Sequence, residues 1–289
     1  MSIALVTCFF NPMGYSRPIA NYWRFRQALE PYPLTTVELS YNGSFSIPDS
    51  IRIEGNPHTQ VLWQKERLLN HSINQLPASV QNIAWLDCDI TFLNPNWIEQ
   101  TEALLDQYPL VQPFTNCHWL NRNQEIEISR KSVAYAKGYA RIGTGKVHPG
   151  FAWAARRELL QQWGGLFDSD ITGSNDSIMA SAVCHEHLRG HHDNAPDALR
   201  KRIAQWGSRV QKYLQKGNLA AVSGDVLHHY HGSIANRNYW KRFLLLKKHR
   251  FNPESDIRIA ANGAWEWASP KFPLHQSVHN YFAARREDE

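Results

Sequence analysis

The chain has 289 residues, of which 43% are hydrophobic and 20% charged, enough to bury one large core or two small ones. That balance excludes an intrinsically disordered chain, and no apolar run approaches the roughly 18–20 residues that cross a bilayer. The net charge of +5 gathers in residues 200–216 and 237–250 and at Arg285–Arg286. Such clusters suit an anionic partner, whether a nucleoside diphosphate, an acidic glycan, a lipid phosphate or a membrane surface. A solvated helix face explains residues 200–216 equally well.

Residues 3–10 (IALVTCFF) are apolar and rich in β-formers, and Asn11-Pro12 closes them. With no basic region ahead of it, this segment reads as a buried first strand and not as a signal peptide. A helix is predicted over 22–29, then strands over 35–39 and 51–54. In 61–76 the apolar residues fall at helical spacing, and Pro77 ends the segment. A strand over 82–86 runs into Asp87-Cys88-Asp89. A helix over 97–108 and a strand over 110–113 follow. Strand and helix thus alternate through the first 115 residues, the pattern of a mostly parallel sheet flanked by helices.

The second half opens on a polar stretch, 121–146, expected as a long loop with a helical piece. A strand over 151–155 leads to a helix over 157–163, closed by Gly164-Gly165. A helix over 176–187, a basic helical insert within 185–218, a strand over 219–231 and a helix over 238–248 complete the reading. The expected organisation is one α/β domain, 1–235, with a nucleotide-binding half (1–115) and an acceptor half (116–235), followed by a helical C-terminal appendage, 236–289. The scattered cysteines Cys8, Cys88, Cys117 and Cys184 read as buried thiols of a cytoplasmic protein.

The sharpest local signal is IAWLDCDITF, residues 83–92. It sets two carboxylates one residue apart at the carboxyl end of an apolar strand, where open α/β sheets bind ligands. Residues two apart on a strand share a face, so Asp87 and Asp89 can converge on one Mg²⁺ or Mn²⁺. The competing reading is a turn bearing two solvated aspartates. A second cluster, Cys184-His185-Glu186-His187 with His191-His192, invites zinc but lacks a second ligand pair at standard spacing. A solvated helix end is preferred there.

The order of these segments, with two later motifs, resembles the GT-A type of nucleotide-sugar glycosyltransferase over roughly residues 3–245. The first motif is His148-Pro149-Gly150-Phe151-Ala152-Trp153-Ala154, then Gly164-Gly165-Leu166-Phe167-Asp168 and Gly173-Ser174-Asn175-Asp176. The second is His228-His229-Tyr230-His231-Gly232-Ser233, with Arg237, Tyr239 and Arg242 behind it. Two features depart from common members. The acidic loop reads Asn175-Asp176 where many have two acids, and no Lys-Pro-Trp follows the histidines.

The resemblance implies a GT-A-like fold, a Mn²⁺ or Mg²⁺ cofactor and transfer from a nucleoside-diphosphate sugar, UDP-sugar favoured, to a hydroxyl of a glycan or lipid-linked acceptor. Inversion is the preferred outcome. Asp89 is the first choice for the metal, with Asp87 acting through water or on the donor's hydroxyls. His229 and His231, on one face of the expected strand, are alternative imidazole ligands. Thr7, Phe9 and Asn11 would line the base pocket. Lys65, Arg237 and Arg242 would neutralise the diphosphate, although a solvated helix start also explains the two arginines. Asp176 is the candidate base or else a helix cap, with Asp170 and Asp168 as fallbacks. Trp153 and Trp119 are candidates for stacking on sugar rings, or simply core.

A nucleotidyltransferase would want a glycine-rich basic loop after the first strand, where Asn11-Pro12-Met13-Gly14-Tyr15 stands instead. The alternative from another class is a non-catalytic glycan- or nucleic-acid-binding protein on a similar fold. Nucleic acid is not expected as a partner, because the basic tracts lack regular aromatic interleaving. Peripheral membrane contact is a further expectation.

Overall fold

The structure is a computed structural model, and it describes residues 3–136, 145–186 and 193–289. The first half alternates as the sequence predicts: β1 (Ile3–Phe10), α1 (Ser16–Ala28), β2 (Leu34–Ser40), β3 (Ile51–Glu54), α2 (Lys65–Gln75) and β4 (Asn82–Leu86). Then come β5 (Ile90–Phe92), α3 (Trp97–Leu105), β6 (Leu110–Gln112), β7 (Asn116–Leu120), β8 (Ile126–Ser132), β9 (Val147–His148) and β10 (Ala152–Arg156). The chain continues through α4 (Arg157–Trp163), α5 (Asn175–Val183), α6 (Asp197–Tyr213), β11 (Ala220–Ala221) and β12 (Asp225–His228). It ends with α7 (Arg242–Lys248), β13 (Ile257–Ile259), β14 (Trp265–Trp267) and α8 (Phe272–Ala283).

The described strands form a seven-stranded sheet of order β11-β6-β10-β4-β1-β2-β3, a five-stranded sheet of order β5-β12-β7-β8-β9 and the hairpin β13-β14. In the large sheet β10 runs antiparallel to β4 and β6, while β11-β6, β4-β1, β1-β2 and β2-β3 are parallel. The expected mostly parallel α/β sheet is therefore present. Alternation along β1 explains its burial on both faces. Ile3, Leu5 and Phe9 pack in a cluster with Tyr22, Phe25 and Trp97 from α1 and α3, and Val6 and Cys8 in another with Leu68 and Leu69 of α2.

Several boundaries differ from expectation for local reasons. Helix α1 starts at Ser16 because Pro18 sits in its first turn, where its missing N–H costs nothing. The polar stretch expected as a loop is largely strand: β7 and β8 form an antiparallel pair around the 121–125 turn. The sequence IEISRKS of β8 is mostly solvated, so it lacks the apolar alternation that marks a half-buried strand. The segment expected as one strand over 219–231 is broken at Gly224, whose φ is 143°, and the chain passes from one sheet to the other there.

The basic run in 200–216 belongs to α6, which buries Leu199, Ile203, Trp206 and Val210 and leaves most of its cations on the solvated side. His187, His191 and His192 of the suggested zinc cluster lie outside the described residues, as do parts of the basic insert and of the 121–146 segment. The four cysteines are free thiols.

Residues 236–289, expected as helical, also contain the β13-β14 hairpin. Gln64 ties that hairpin to the core, donating to the Trp265 carbonyl at 2.7 Å and accepting from the Trp265 amide at 2.9 Å. No helix among the described residues is long and apolar enough to cross a membrane.

Candidate active site

Strand β4 ends at Leu86, and β5 begins at Ile90 in the other sheet. Asp87-Cys88-Asp89 is therefore a turn joining two sheets, not a continued strand, and the shared-face argument for the two carboxylates fails. The Asp87 amide donates to the Phe151 carbonyl at 2.7 Å, and its Oδ1 accepts from Lys65 Nζ at 2.6 Å. Burial pushes Asp87 up to about 6 against the pull of Lys65. Burial disfavours charge on Lys65 too, but Asp87 and Glu66 outweigh it and hold the ammonium well above its usual range. Asp87 and Lys65 thus form an ionised pair at neutral pH.

Asp89 faces a different set of groups. Its Oδ2 lies 2.9 Å from His231 Nε2 and 3.5 Å from His228 Nε2. These three ligand atoms lie within 4.8 Å of one another, and among the described residues they are the grouping that can hold a cation. Asp87 is not part of it. Burial opposes ionisation of Asp89, yet His228 and His231 outweigh it and hold the carboxyl well below its usual range. Burial pushes His228 down to about 4, so its imidazole is neutral at pH 7 and can offer a lone pair. Asp89 Oδ1 and His228 Nδ1 are buried without a hydrogen-bond partner. The Asp89 carboxylate, with one oxygen unpartnered and the neutral His228 imidazole beside it, makes a donor set that fits a divalent cation.

His229, expected as a ligand, turns elsewhere. Strand β12 stops at His228, so two-residue alternation no longer holds beyond it. The His229 amide donates to the Asp89 carbonyl at 2.8 Å, while its ring meets Thr91 Oγ1 at 2.9 Å and Arg24 at 3.3 Å. His228, quoted in the motif but not chosen, takes the inward place, and its ring stacks on Phe151 with centroids 4.8 Å apart.

A cavity of about 470 Å³ opens beside the cluster. Phe9, Asn11, Lys65, Asp87, Asp89, Trp119, Asp176, His231, Arg237 and Arg242 line it. Asn11 also holds its own loop, exchanging hydrogen bonds with Tyr15 at 2.7 and 3.0 Å. Thr7 does not reach the cavity. It is fully buried, and its hydroxyl donates to the Leu86 carbonyl at 2.7 Å, tying β1 to β4. Trp153 is likewise core: it pairs across to Trp85 in the sheet, and its indole N–H donates to the Pro149 carbonyl at 2.7 Å.

Arg237 and Arg242 are buried, which removes the solvated-helix reading. Arg237 donates to His231 Nε2 at 2.6 Å and to Tyr239 Oη at 3.2 Å. Arg242 donates to the Gly173 carbonyl at 2.5 Å and lies over the Tyr239 ring. Both keep a buried Nε without a partner.

Asp176 lies in the first turn of α5, where its Oδ1 accepts from the Ser177 amide at 2.7 Å. Its Oδ2 faces Gly150, at which an added Cβ would come within 2.5 Å. The fallback carboxylates are committed to structure. Asp170 accepts from the Thr172 amide and hydroxyl and from the Ser174 amide, and Asp168 pairs with Arg67 at 3.2 Å.

Sequence reasoning missed four further cavity residues. Glu66 accepts from the Trp63 indole at 3.0 Å and from Asn175 at 2.8 Å, and burial pushes it up to about 7. Its position next to Lys65 on α2 was the available signal. His148 has a buried Nε2 without a partner. Arg285 and Glu287 arrive from the far end of the chain, with only the basic Arg285–Arg286 pair to hint at them.

No protein-family model matches the chain, and no curated protein is similar to it. Among solved structures it is similar to the catalytic domain of Drosophila β1,4-galactosyltransferase 7 in complex with xylobiose, at 14% identity and a TM-score of 0.33 over 77% of this chain. It is also similar to S. aureus TarS, at 10% identity and a TM-score of 0.44 over 89% of this chain. A third is glucosyl-3-phosphoglycerate synthase from Mycobacterium tuberculosis with Mn²⁺, UDP-glucose and phosphoglyceric acid, at 13% identity and a TM-score of 0.41 over 92% of this chain. The chain spans 64% of the length of the first of these, 45% of the second and 86% of the third. Likenesses this remote assign the chain to no family. The chemistry of the site rests on its own geometry.

Proposed function

We propose that the chain is a metal-dependent glycosyltransferase. It would move a sugar from a nucleoside-diphosphate sugar, UDP-sugar favoured, to a hydroxyl of a glycan or lipid-linked acceptor, with inversion. The observation that carries this reading is the convergence of Asp89, His228 and His231 on the wall of a cavity also lined by buried arginines and by Asp176.

One carboxylate oxygen and two imidazole nitrogens suit Mn²⁺ better than Mg²⁺, which prefers an all-oxygen shell. A divalent cation bound there supplies charge neutralisation for the departing diphosphate. Arg237 and Arg242 add fixed positive charge in a site withdrawn from water, where it acts strongly. Lys65 holds Asp87 at the turn and so fixes the start of the segment that delivers Asp89. Asp176 would take the proton from the acceptor hydroxyl on its Oδ2. Trp119, on the cavity wall, offers an apolar face to a sugar ring.

The test is a thermal-shift screen of UDP, GDP, CDP and dTDP with and without Mn²⁺, on wild type and Asp89→Asn. Ligand at about a hundred times its Kd adds about 2.7 kcal/mol, which for a chain of 289 residues is a rise of about 4–5 °C. A rise with one nucleotide that needs Mn²⁺ and vanishes in D89N is the expected result. No rise with any nucleotide would remove the reading and favour a non-catalytic glycan-binding protein.

A further inference from the structure

The last turn of the chain folds back over the candidate metal cluster. Asp288 accepts from the amides of Ser16 and Arg17 at 3.0 and 2.8 Å, at the start of α1, and Tyr15 Oη donates to the Ala283 carbonyl at 2.7 Å. Gly232, directly after His231, leaves room for this tail. A Cβ there would stand 3.0 Å from the carbonyls of Arg285 and Arg286 and 3.2 Å from Glu287 Cα. The tail thereby brings Glu287 Oε1 to 3.2 Å from His231 Nδ1, while Arg285 holds the same oxygen from its Nε at 2.7 Å.

The ring's protonation pattern follows from its partners. A carboxylate can only accept, so the 3.2 Å contact of His231 Nδ1 with Glu287 Oε1 calls for a proton on Nδ1. The ring proton then sits on Nδ1 and is donated to Glu287. Nε2 lies between the Arg237 guanidinium at 2.6 Å, which only donates, and Asp89 Oδ2 at 2.9 Å, which only accepts, and a cation bound beside Asp89 would take its lone pair. His228 has no such outer partner, since its Nδ1 is unbonded. The two imidazoles are therefore not equivalent. His231 has its Nδ1 side held by Glu287, whereas His228 is oriented by stacking on Phe151.

We propose that Glu287 is a positioning residue for the metal site: held by Arg285, it fixes the Nδ1–H tautomer of His231 and so prepares Nε2 to bind a divalent cation. The proposal rests on the metal reading above and extends it to the C-terminal tail, which completes the site from outside the sheets. Outer carboxylates of this kind typically change metal affinity by about 10–100-fold.

The test uses the full chain as wild type, Glu287→Gln, Glu287→Asp and Asp288→Asn, the last touching α1 and not His231. Long-range ¹H–¹⁵N spectra of the metal-free protein read the ring proton of His231, and electron paramagnetic resonance of free Mn²⁺ gives the Kd. Wild type is expected to carry the proton on Nδ1. E287Q should shift it toward Nε2 and weaken Mn²⁺ binding by about 10-fold or more, E287D should recover part of the loss, and D288N should stay within about threefold of wild type. Thermal melts of all four separate loss of metal from loss of fold. A wild type that binds Mn²⁺ beside an E287Q that binds it equally, with the proton still on Nδ1, overturns the proposal alone. So does a D288N protein as impaired as E287Q, because the effect would then belong to tail docking. A wild type that takes up no Mn²⁺ overturns the metal reading and the proposal together.

Discussion

Replacing Gly150 with alanine tests the position of Asp176 without removing any charged group. Gly150 does not occupy the left-handed backbone region, so alanine meets no backbone strain there. Its Cβ, however, would lie 2.5 Å from Asp176 Oδ2 and 3.3 Å from His148 Nε2. The carboxylate must yield by about 1 Å to restore ordinary contact. Asp176 is only half-buried, so the stability cost is at the low end of overpacking, about 1 kcal/mol, or a fall in Tm of about 2 °C. The kinetic cost is larger. A misplacement of about 1 Å at a reacting group can reduce turnover by about 10²-fold, equivalent to about 2.7 kcal/mol of barrier. The assay is nucleoside-diphosphate release from the sugar nucleotide that binds, with Mn²⁺ affinity measured in parallel. G150A should bind Mn²⁺ and nucleotide as wild type does and turn over about 10²-fold more slowly. Turnover within threefold of wild type would refute Asp176 as the base and leave it as a residue of the first helical turn.

The histidines give a second contrast: His228→Ala or His231→Ala should weaken Mn²⁺ binding by at least about 10-fold, while His229→Ala, whose ring meets Thr91 and Arg24, should leave it unchanged in the same titration. The two aspartates should also separate. Asp87→Asn strands Lys65 and should cost about 3 kcal/mol in denaturant melts while sparing much of the Mn²⁺ affinity; Asp89→Asn should do the reverse. Stability should depend on pH through Glu66, raised to about 7. Because the folded state keeps this proton longer than the unfolded chain does, its contribution is present in full below about pH 4 and is lost as pH rises through 7. Glu66→Gln should flatten the upper part of that profile, and an unchanged slope would refute the assignment.

Much of the fold was legible because burial on both faces writes a simple pattern. IALVTCFF and NIAWL could hardly be anything but strands, and both bounds agree with the structure. The stop of α4 was legible from Gly164, whose φ of 76° suits few other residues. The β7-β8 pair was not, because β8 is mostly solvated and its sequence shows no apolar alternation. At the site, Asp89 and His231 were singled out and the structure brings them to 2.9 Å. Choosing between His228 and His229 required the end of β12, which period-two reasoning cannot supply. Glu287 was invisible for a different reason. It lies 56 positions from His231, and only the tertiary path of the tail joins them.

The separate duties of Asp87 and Asp89 follow from a change of sheet. Two carboxylates one residue apart on a single strand would compete for one cation and repel each other in a poorly hydrated place. Here the chain leaves the large sheet after Leu86 and enters the smaller one at Ile90, so the turn between them presents the carboxylates to different elements. Asp87 falls to α2, where Lys65 neutralises it with a charge the protein carries permanently. Asp89 falls to the end of β12, where it finds imidazoles in place of an ammonium. A charge fully matched within the fold has little to offer a diphosphate. A carboxylate that meets imidazoles and keeps one oxygen unpartnered stays available to a cation that arrives with the substrate. On the proposed reading the metal chemistry falls to Asp89, and the neighbouring ion pair serves to keep it there.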